Sequence, residues 1–415
     1  MDLNNLRIGL LLGFWQLKRA NAWTTFLIVF VMTLTFLNLV VVSGILIGLV
    51  QGSSDSYQRQ YSGDILVDKN PFTKYISKGN DILSAAKDSK EIEAASARYL
   101  EGAVVQSDFT KNIKANEVTP QAAATIAGIE PVDEDRVTGL SKLVVAGKYF
   151  DRSEFNSAVI GSGLLAEYNP NAILGETLKN VVPGSKVRIS VNGGYIDLKI
   201  KGIVKSKVGD VNRRIYIDRD YFTQLYGRSI NNPNEIAIKI SPGVRPESVK
   251  LLLQAAAQEN ALVQTARESQ GSFLKDIEAT FSLLGGVIGG IAIMVSSITI
   301  FIVIFINALT RKKYIGILKA IGIKNSVIAA SYLAQALFYS VAGISVGLML
   351  LYGSIKPYFD ANPINFPFSD GILAVTATGV AWRVIILVGA TVAAGILPIL
   401  FIVRKNTLNL ILGRE

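Results

Sequence analysis

Four long apolar stretches constrain the fold of this chain more than any other feature. They cover residues 22–50, 281–309, 327–352 and 384–403, and none of them contains a Lys, Arg, Asp or Glu. About 20 consecutive apolar residues cross the hydrocarbon of a bilayer, so each stretch is long enough to form a transmembrane helix. The first is too long for a signal-peptide core and has no convincing cleavage site, so we interpret it as a retained anchor.

The distribution of charge predicts how these helices are oriented. The chain has a net charge of +10, and most of the excess lies at 1–21, 310–326 and 404–415. Residues 310–326 alone carry five Lys or Arg and no acid, whereas 51–280 is close to neutral. Because positively charged loops stay in the cytoplasm, we expect both termini and 310–326 inside and 51–280 outside the cell (inner) membrane.

Residues 51–280 have the pattern of a large α+β extracytoplasmic domain, inserted between the first and second transmembrane helices. A strand–helix–strand pattern occurs near each end, which predicts a ferredoxin-like part from about 60–107 and 231–266. A mostly β insertion fills about 108–230, and a stalk at 267–280 is expected to continue as one helix into the membrane. The remaining segments are an interfacial helix at 1–21, a short helix at 310–326, an outer loop at 353–383 and a tail at 404–415.

Glycines spaced four residues apart recur in the apolar stretches and predict close contacts between helices, since small residues let backbones approach in lipid. Glycine is also simply common in membrane helices, and for any single pair that remains the alternative explanation. The candidate packing residues are Gly44, Gly48, Gly285, Gly286, Gly289, Gly290, Gly343 and Gly347.

The residues needed for most catalytic chemistry are missing. The chain has no Cys and no His, which excludes disulfides, thiolate nucleophiles, imidazole ligands and a Ser-His-Asp triad. It has no phosphate-binding loop of the G-x-x-x-x-G-K-[ST] type. We interpret the acidic run Asp133-Glu134-Asp135 as a solvated loop and predict no metal site. The basic residues cluster beside the apolar stretches, which indicates a membrane protein rather than a nucleic-acid-binding one, and no enzyme activity is expected in this chain.

The basic loop between the second and third apolar stretches is the main candidate site. It consists of Arg311, Lys312, Lys313, Tyr314, Ile315, Gly316, Ile317, Leu318, Lys319, Ala320, Ile321 and Gly322. Tyr314, Ile317, Leu318 and Ile321 recur with the spacing of one helical face, and Gly322 is a plausible helix stop. The pattern predicts a short amphipathic helix that either lies on lipid or fills a groove on a partner protein.

The order of segments and this loop resemble the FtsX-like permease subunits of ABC transporters, of the macrolide-exporter and lipoprotein-releasing types. The family's loop typically reads R-x-x-E-I-G-I-x-[KR]-A-[IVL]-G. The matching residues here are Ile315, Gly316, Ile317, Lys319, Ala320, Ile321 and Gly322, while Tyr314 stands where an acidic residue is usual. The outer segments at 127–131, 146–150, 159–161, 164–166 and 214–217 resemble the family's outer domain in order and spacing.

The resemblance implies a homodimer, or a heterodimer with a similar permease, bound to two cytoplasmic ABC ATPase subunits. In such permeases the loop at 311–322 is the coupling helix, and ATP and Mg²⁺ bind in the partner ATPase while this chain holds no cofactor. Membrane lipids and a periplasmic adaptor are further candidate partners. The implied function is mechanical transmission for export or extraction of a lipid, lipoprotein, peptide or drug. One alternative is a signalling subunit that activates an extracytoplasmic cell-wall hydrolase, and another is a membrane sensor without an ATPase.

The charge pattern gives a direct test of topology. In sealed inside-out vesicles, a protease added from outside is expected to cleave within 310–326 and to leave 51–280 intact. Right-side-out vesicles serve as the control and should show the reverse pattern, measured by mass spectrometry of the fragments. Cleavage of 310–326 from the extracytoplasmic side would contradict the predicted orientation.

Overall fold

The computed structural model describes residues 3–19, 21–109, 120–152, 154–170, 176–257, 261–362, 366–369 and 373–403. The predicted tail at 404–415 lies outside these ranges. The chain divides into two compact units. The helical unit comprises Met1–Val50, Ile277–Ile364 and Gly371–Glu415, and the sheet unit comprises Gln51–Asp276 and Asn365–Asp370.

Helices form most of one unit and flank the strands of the other. In chain order the α-helices of the described residues are α1 (Leu3–Lys18), α2 (Ala22–Tyr57), α3 (Gly79–Asp88), α4 (Pro131–Thr138), α5 (Gly209–Asn212), α6 (Arg219–Tyr226), α7 (Pro246–Ala257), α8 (Ala266–Ser269), α9 (Ser272–Thr310), α10 (Lys312–Ala320), α11 (Asn325–Leu350), α12 (Lys356–Ala361) and α13 (Ala377–Val403). The strands are β1 (Ile65–Lys69), β2 (Ile92–Gln106), β3 (Gln121–Ile129), β4 (Val144–Gly147), β5 (Ser157–Gly161), β6 (Lys186–Val191), β7 (Gly194–Val204), β8 (Arg214–Asp218), β9 (Glu235–Ile240) and β10 (Ala261–Thr265).

Four helical segments of the described residues are long and apolar enough to cross a membrane, at Ala22–Ser62, Lys275–Thr310, Asn325–Ala361 and Ala377–Phe401. Together with the mixed sheet they confirm the predicted fold class at this level. The helices extend beyond the apolar stretches, because a helix can continue into polar sequence wherever its backbone bonds are maintained. The last helix, for example, begins at Ala377 rather than 384.

Strands of the sheet unit form one mixed sheet in the order β10-β1-β9-β2-β3-β8-β5-β7-β4, with β6 pairing with both β2 and β7. The first four strands in this order, β10, β1, β9 and β2, are antiparallel to one another. With α3 and α7 as the connecting helices, they have the ferredoxin-like arrangement. Apolar side chains of both helices, including Ile82 and Leu253, are buried against β1 and β9.

Residues of the insertion continue this sheet instead of forming a separate one. The long strand β2 pairs with β9 through its first half and with β3 through its second half. Parallel pairing of β3 with β8 and of β5 with β7 then extends the sheet. The insertion therefore shares its hydrogen-bonded framework with the ferredoxin-like part, and a displacement of one part would strain β2.

The prediction of one unbroken helix from 267 into the membrane is wrong. Thr265 and Glu268 form a capping box that starts the single turn of α8, and Gln270 is then extended (ψ 99°). Gly271 follows before α9 begins at Ser272. Glycine loses more conformational freedom in a helix than any other residue, so the break falls where helix formation is least favourable.

Two glycines of α11 lie in close contact with α2. A Cβ on Gly343 would lie 2.5 Å from the Cβ of Met32, and one on Gly347 would overlap the ring of Phe36. Thr33 Oγ1 also donates to the Gly343 carbonyl at 3.1 Å. The two glycines, one turn apart on α11, therefore allow this helix to approach α2 closely, as small residues do in membrane helices.

The other candidate glycines have different surroundings. Added Cβ atoms on Gly285 and Gly289 would be 3.3 Å from Leu46 and 3.1 Å from Leu39, so this pair faces α2. Added Cβ atoms on Gly286 and Gly290 would have no atom of the described residues within 4 Å. Two further positions lie on α2: Gly44, next to Leu373 rather than to another span, and Gly48, which is buried.

Substitution of Gly343 by Ala should destabilise the helical unit by about 1–3 kcal/mol, the usual cost of overpacking a close contact. The measurement is the apparent thermal midpoint of the purified full chain in detergent. Gly389→Ala is the matched control, since Gly389 lies in α13 with no atom within 4 Å of its added Cβ. Equal stability of the two variants would contradict the close approach of α11 and α2.

Candidate functional site

The candidate coupling segment forms helix α10 between the two long helices α9 and α11. Arg311 precedes its first turn, and Gly322 follows its end with φ +92°. A positive φ favours glycine, which explains why the helix ends here. Lys313 is exposed, while Lys312 and Lys319 each interact with other groups.

One side of α10 packs within its own chain. Ile315 is 1% exposed and Leu318 is 7% exposed, and both join the core cluster that contains Tyr332 of α11. Gly316 is buried beside them. The spacing of Ile315 and Leu318 places them on one face, so burial of this face fixes the orientation of α10 in the helical unit.

The adjacent side of α10 presents apolar side chains that no described residue covers. Tyr314 is 46% exposed, Ile317 52% and Ile321 69%. We call these three residues the exposed ridge. The sequence placed Leu318 on this same face, and the structure instead turns it toward the bundle. Periodicity identifies which residues share a side of a helix, but it does not reveal which of two adjacent apolar sides finds a partner in the same chain.

Helix α1 lies beside the third span through contacts that the sequence analysis missed. Added Cβ atoms on Gly9 and Gly13 would lie 2.5 Å from the Cβ of Ala330 and 2.6 Å from the carbonyl oxygen of Ser331. Gln335 Nε2 donates to Gln16 Oε1 at 2.5 Å, and both residues are buried. Spacing of Gly9 and Gly13 by four was the available signal. Helix α1 lies outside the apolar stretches, where glycine spacing alone does not indicate packing in lipid.

A buried cluster of four charges lies at the centre of the sheet unit. Arg98 of β2 pairs with Glu134 of α4 at 2.8 Å and with Glu235 of β9 at 3.3 Å. Arg214 of β8 pairs with Glu235 at 2.9 Å. Each of the four side chains is less than 10% exposed. Two cations and two anions balance, as burial of charge requires.

Tyr61 connects this buried charge cluster to the segment that follows α2. Its hydroxyl donates to Glu235 Oε1 at 2.9 Å and accepts from Arg214 Nη2 at 3.1 Å. Its carbonyl accepts from Arg98 Nη2 at 2.5 Å. Both guanidinium carbons lie 5.0 Å from the centre of the Tyr61 ring, which is within the range of cation–π attraction.

Further contacts join the ends of the two long helices within the sheet unit. Tyr57 in the last turn of α2 donates its hydroxyl to the carbonyl of Ser269, at 3.0 Å. Gln270 Nε2 donates to the Ser54 hydroxyl. The last turn of α2 and the residues before α9 are therefore bonded to each other next to the buried charge cluster.

The interpretation of the acidic run as a solvated loop is wrong for Glu134. Residues Asp133-Glu134-Asp135 lie in the short helix α4, where Glu134 is 2% exposed and accepts from Arg98, Ser96 and Thr138. No group of His, Cys, Asp and Glu suited to a metal occurs in the ranges that the structure describes. Arg98 lies 36 residues away in sequence, so local pattern carried no sign of the pair.

Burial and charge act in opposite directions on Glu235. Burial alone would raise the pKa of its carboxyl group, but the positive charges of Arg214 and Arg98 outweigh burial and lower that pKa from 4.5 to about 2. The carboxylates in turn raise the pKa of the Arg98 and Arg214 guanidinium groups, against the effect of burial. Arg98, Arg214 and Glu235 are thus charged at neutral pH.

Comparison with known proteins identifies the C-terminal part of the chain. Residues 286–407 match the family described as FtsX-like permease C-terminal. These residues form an FtsX-like permease domain. This match covers the candidate coupling segment and confirms the resemblance found in the sequence.

Curated relatives agree with this assignment. Macrolide export ATP-binding/permease protein MacB 2 of Aeromonas hydrophila is 24% identical over 283 residues, which is 65% of this chain and 41% of that protein. ABC transporter permease YtrF of Bacillus subtilis is 27% identical over 135 residues, 29% of this chain and 30% of that protein. The chain therefore spans less than half the length of these two relatives.

Two solved structures are also similar to this chain. The periplasmic region of MacB from Actinobacillus actinomycetemcomitans is 14% identical, with a TM-score of 0.35, and covers 52% of this chain and 94% of that one. The extracellular domain of the ABC-type transporter YknZ is 15% identical, with a TM-score of 0.34, and covers 48% and 99%.

Removal of one partner from the buried charge cluster should unfold much of the sheet unit. Glu235→Ala leaves Arg214 without its carboxylate, and breaking a buried pair costs about 3–5 kcal/mol. The measurement is hydrogen exchange at the amides of β2, β8 and β9 in the purified full chain. Glu93→Ala is the matched control, because Glu93 pairs with Lys239 at 2.8 Å on the surface and its loss should cost less than about 1 kcal/mol.

The same pair predicts a dependence on pH. The folded pKa of Glu235 is below the unfolded value, so its contribution is complete above about pH 4.5 and is lost as the pH falls toward 2. Protection of β9 amides should decrease over this window in the wild type and less steeply in Glu235→Ala. Identical acid profiles would contradict a charged Glu235 in the folded state.

Proposed function

We propose that this chain is the permease subunit of an ABC transporter and that it transmits motion from a separate ATPase to its sheet unit. In this proposal the partner ATPase binds ATP and Mg²⁺, and this chain performs no chemistry. The work done is export or extraction of a lipid, lipoprotein, peptide or drug. FtsX-like permease similarity over residues 286–407 and the curated relatives support the permease assignment.

The exposed ridge on α10 is the observation that carries the proposal. Tyr314, Ile317 and Ile321 are uncovered, while Ile315 and Leu318 on the other side are fixed in the bundle. An amphipathic helix with an uncovered apolar side fits the groove of a partner protein. Because its buried side is packed on α11, a push on the ridge would be transferred to the span instead of only bending a loop.

Continuity of the chain supports transmission toward the sheet unit. Helix α2 runs without a break from Ala22 to Tyr57 and is followed by a π-helical turn from Gln58 to Ser62. This turn contains Tyr61, which the buried charge cluster holds by three hydrogen bonds. Displacement of α2 along its axis would therefore act on β2, β8 and β9 through Tyr61.

A second copy of the permease is part of the proposal. Gly286 and Gly290 have no neighbour within 4 Å of an added Cβ among the described residues, although Gly285 and Gly289 on the adjacent face pack on α2. Two small residues four apart on an uncovered side of a span would permit close approach of another helix. This supports a homodimer, or a heterodimer with a related permease, formed around α9.

Substitution of the exposed ridge tests the ATPase contact. Ile317→Asp should weaken copurification with the ATP-binding subunit at least tenfold. In the proposed complex Ile317 is buried against the ATPase, and the substitution replaces this apolar contact, worth about 2 kcal/mol, with a charge. Ile321→Asp should act in the same way. Ridge positions are preferable to Gly316 and Leu318, which are buried, so substitution there would disturb the helical unit itself.

Leu251→Asp is the matched control, because Leu251 is also on a helix and is 69% exposed, but lies on α7 of the sheet unit. It should leave copurification unchanged. Each variant is compared by gel filtration and by the yield of ATPase in a pulldown. Full retention of the ATPase by both ridge variants would overturn the proposed docking and favour a role for α10 on lipid alone.

A further inference from the structure

A cavity of about 460 Å³ lies between α1 and the start of α10 in the helical unit. It opens to the surface. The residues lining it are Leu12, Trp15, Gln16, Arg19, Arg311 and Tyr314.

Two guanidinium groups at this cavity have no counter-charge among the residues that the structure describes. Arg19 and Arg311 take part in none of the ion pairs found among the described residues. The sequence contains no Asp or Glu in 3–54 or 279–359, the stretches that include both walls of the cavity. A guanidinium group presents several donors and binds planar or tetrahedral oxyanions well. The cavity is therefore suited to an anion.

Apolar surface adjoins these charges along α1. Ile8 is 48% exposed, Leu11 54% and Trp15 58%, and their spacing places them on one side of the helix. The opposite side is buried, through Gly9, Gly13 and Gln16. An occupant that matches the whole surface has an oxyanion at the two arginines and a hydrocarbon chain along Ile8, Leu11 and Trp15.

We propose that this cavity binds the phosphate group of an anionic phospholipid, with an acyl chain of the same lipid along the apolar side of α1. Basic pockets beside transmembrane helices favour anionic head groups, and each basic residue near an anionic surface strengthens binding roughly fivefold. An acidic side chain of a partner protein would satisfy the arginines but would leave the apolar side of α1 uncovered. Tyr314 lines the cavity and also belongs to the exposed ridge, so a bound lipid would contact the helix proposed to receive the ATPase.

Trp15 provides a direct reporter of this lipid. The full chain carrying Trp23→Phe and Trp382→Phe retains Trp15 as its single tryptophan. It is reconstituted without any ATPase into phosphatidylcholine bilayers that contain increasing fractions of brominated phosphatidylglycerol or brominated phosphatidylcholine. Quenching of Trp15 is expected at a lower fraction of the anionic lipid. In Arg19→Gln and Arg311→Gln this preference should decrease roughly fivefold each.

Two sets of variants separate a specific site from general attraction or misfolding. Lys313→Gln removes the same charge from an exposed neighbour that does not line the cavity, and it should keep the preference. Arg19→Lys and Arg311→Lys keep the charge and should restore most of it. An equal loss in Lys313→Gln, or full preference in the Arg19→Gln/Arg311→Gln double variant, would overturn the proposal.

A soluble competitor distinguishes the lipid from other sources of phosphate. Glycerol phosphate or inorganic phosphate added to the bilayers should not relieve quenching by phosphatidylglycerol. Complete relief at either would assign the cavity to a free phosphate compound and overturn the lipid assignment. Since the ATPase is absent throughout, the result is independent of whether Ile317→Asp affects copurification.

Discussion

The interaction on which the rest of the sheet unit depends is the burial of four charges around Tyr61. Burying a single charge costs several kcal/mol, and pairing restores that energy only if the geometry is good and other hydrogen bonds are complete. Here Arg98, Glu134, Arg214 and Glu235 come from β2, α4, β8 and β9. They meet only if the ferredoxin-like strands and the insertion are both folded. The buried charge cluster therefore makes formation of the sheet depend on both parts at once. It also binds Tyr61, which lies in the π-helical turn that follows α2.

The helical unit is held together by a different kind of contact. Lipid hydrocarbon is as apolar as a leucine side chain, so association of spans depends on close packing and hydrogen bonds. Glycine at 343 and 347 provides that closeness between α11 and α2, and Gly9 and Gly13 provide it between α1 and α11. The buried bond between Gln335 and Gln16 adds a polar contact to the second interface. Both interfaces involve α11, which also supports the buried side of α10.

Helix α10 thus has three surfaces with different chemistry. Its inner side contacts the core of the helical unit, its outer ridge is apolar and uncovered, and its N-terminal end meets the cavity with Arg19 and Arg311. A protein partner and a lipid can occupy separate surfaces of such a helix. In the proposed permease the contact between α10 and the ATPase would depend on the lipid composition of the membrane, because anionic head groups would bind next to Tyr314.

The sequence by itself determined the membrane class, the positions of the spans, the strand–helix–strand units and the position of α10. These depend on length, hydropathy and local periodicity, which act over a few turns of chain. It did not reveal that Leu318 turns inward, that α1 packs on α11, that the helix before the second span breaks at Gln270, or that Glu134 is buried against Arg98. The first two and the last of these outcomes depend on residues that are distant in sequence. The helix break depends on the Thr265–Glu268 capping box and on the extended conformation of Gln270. Only the tertiary structure brings Tyr61 to Glu235 across 174 positions, because the energy of a buried charge depends on its surroundings in space and not on its neighbours along the chain.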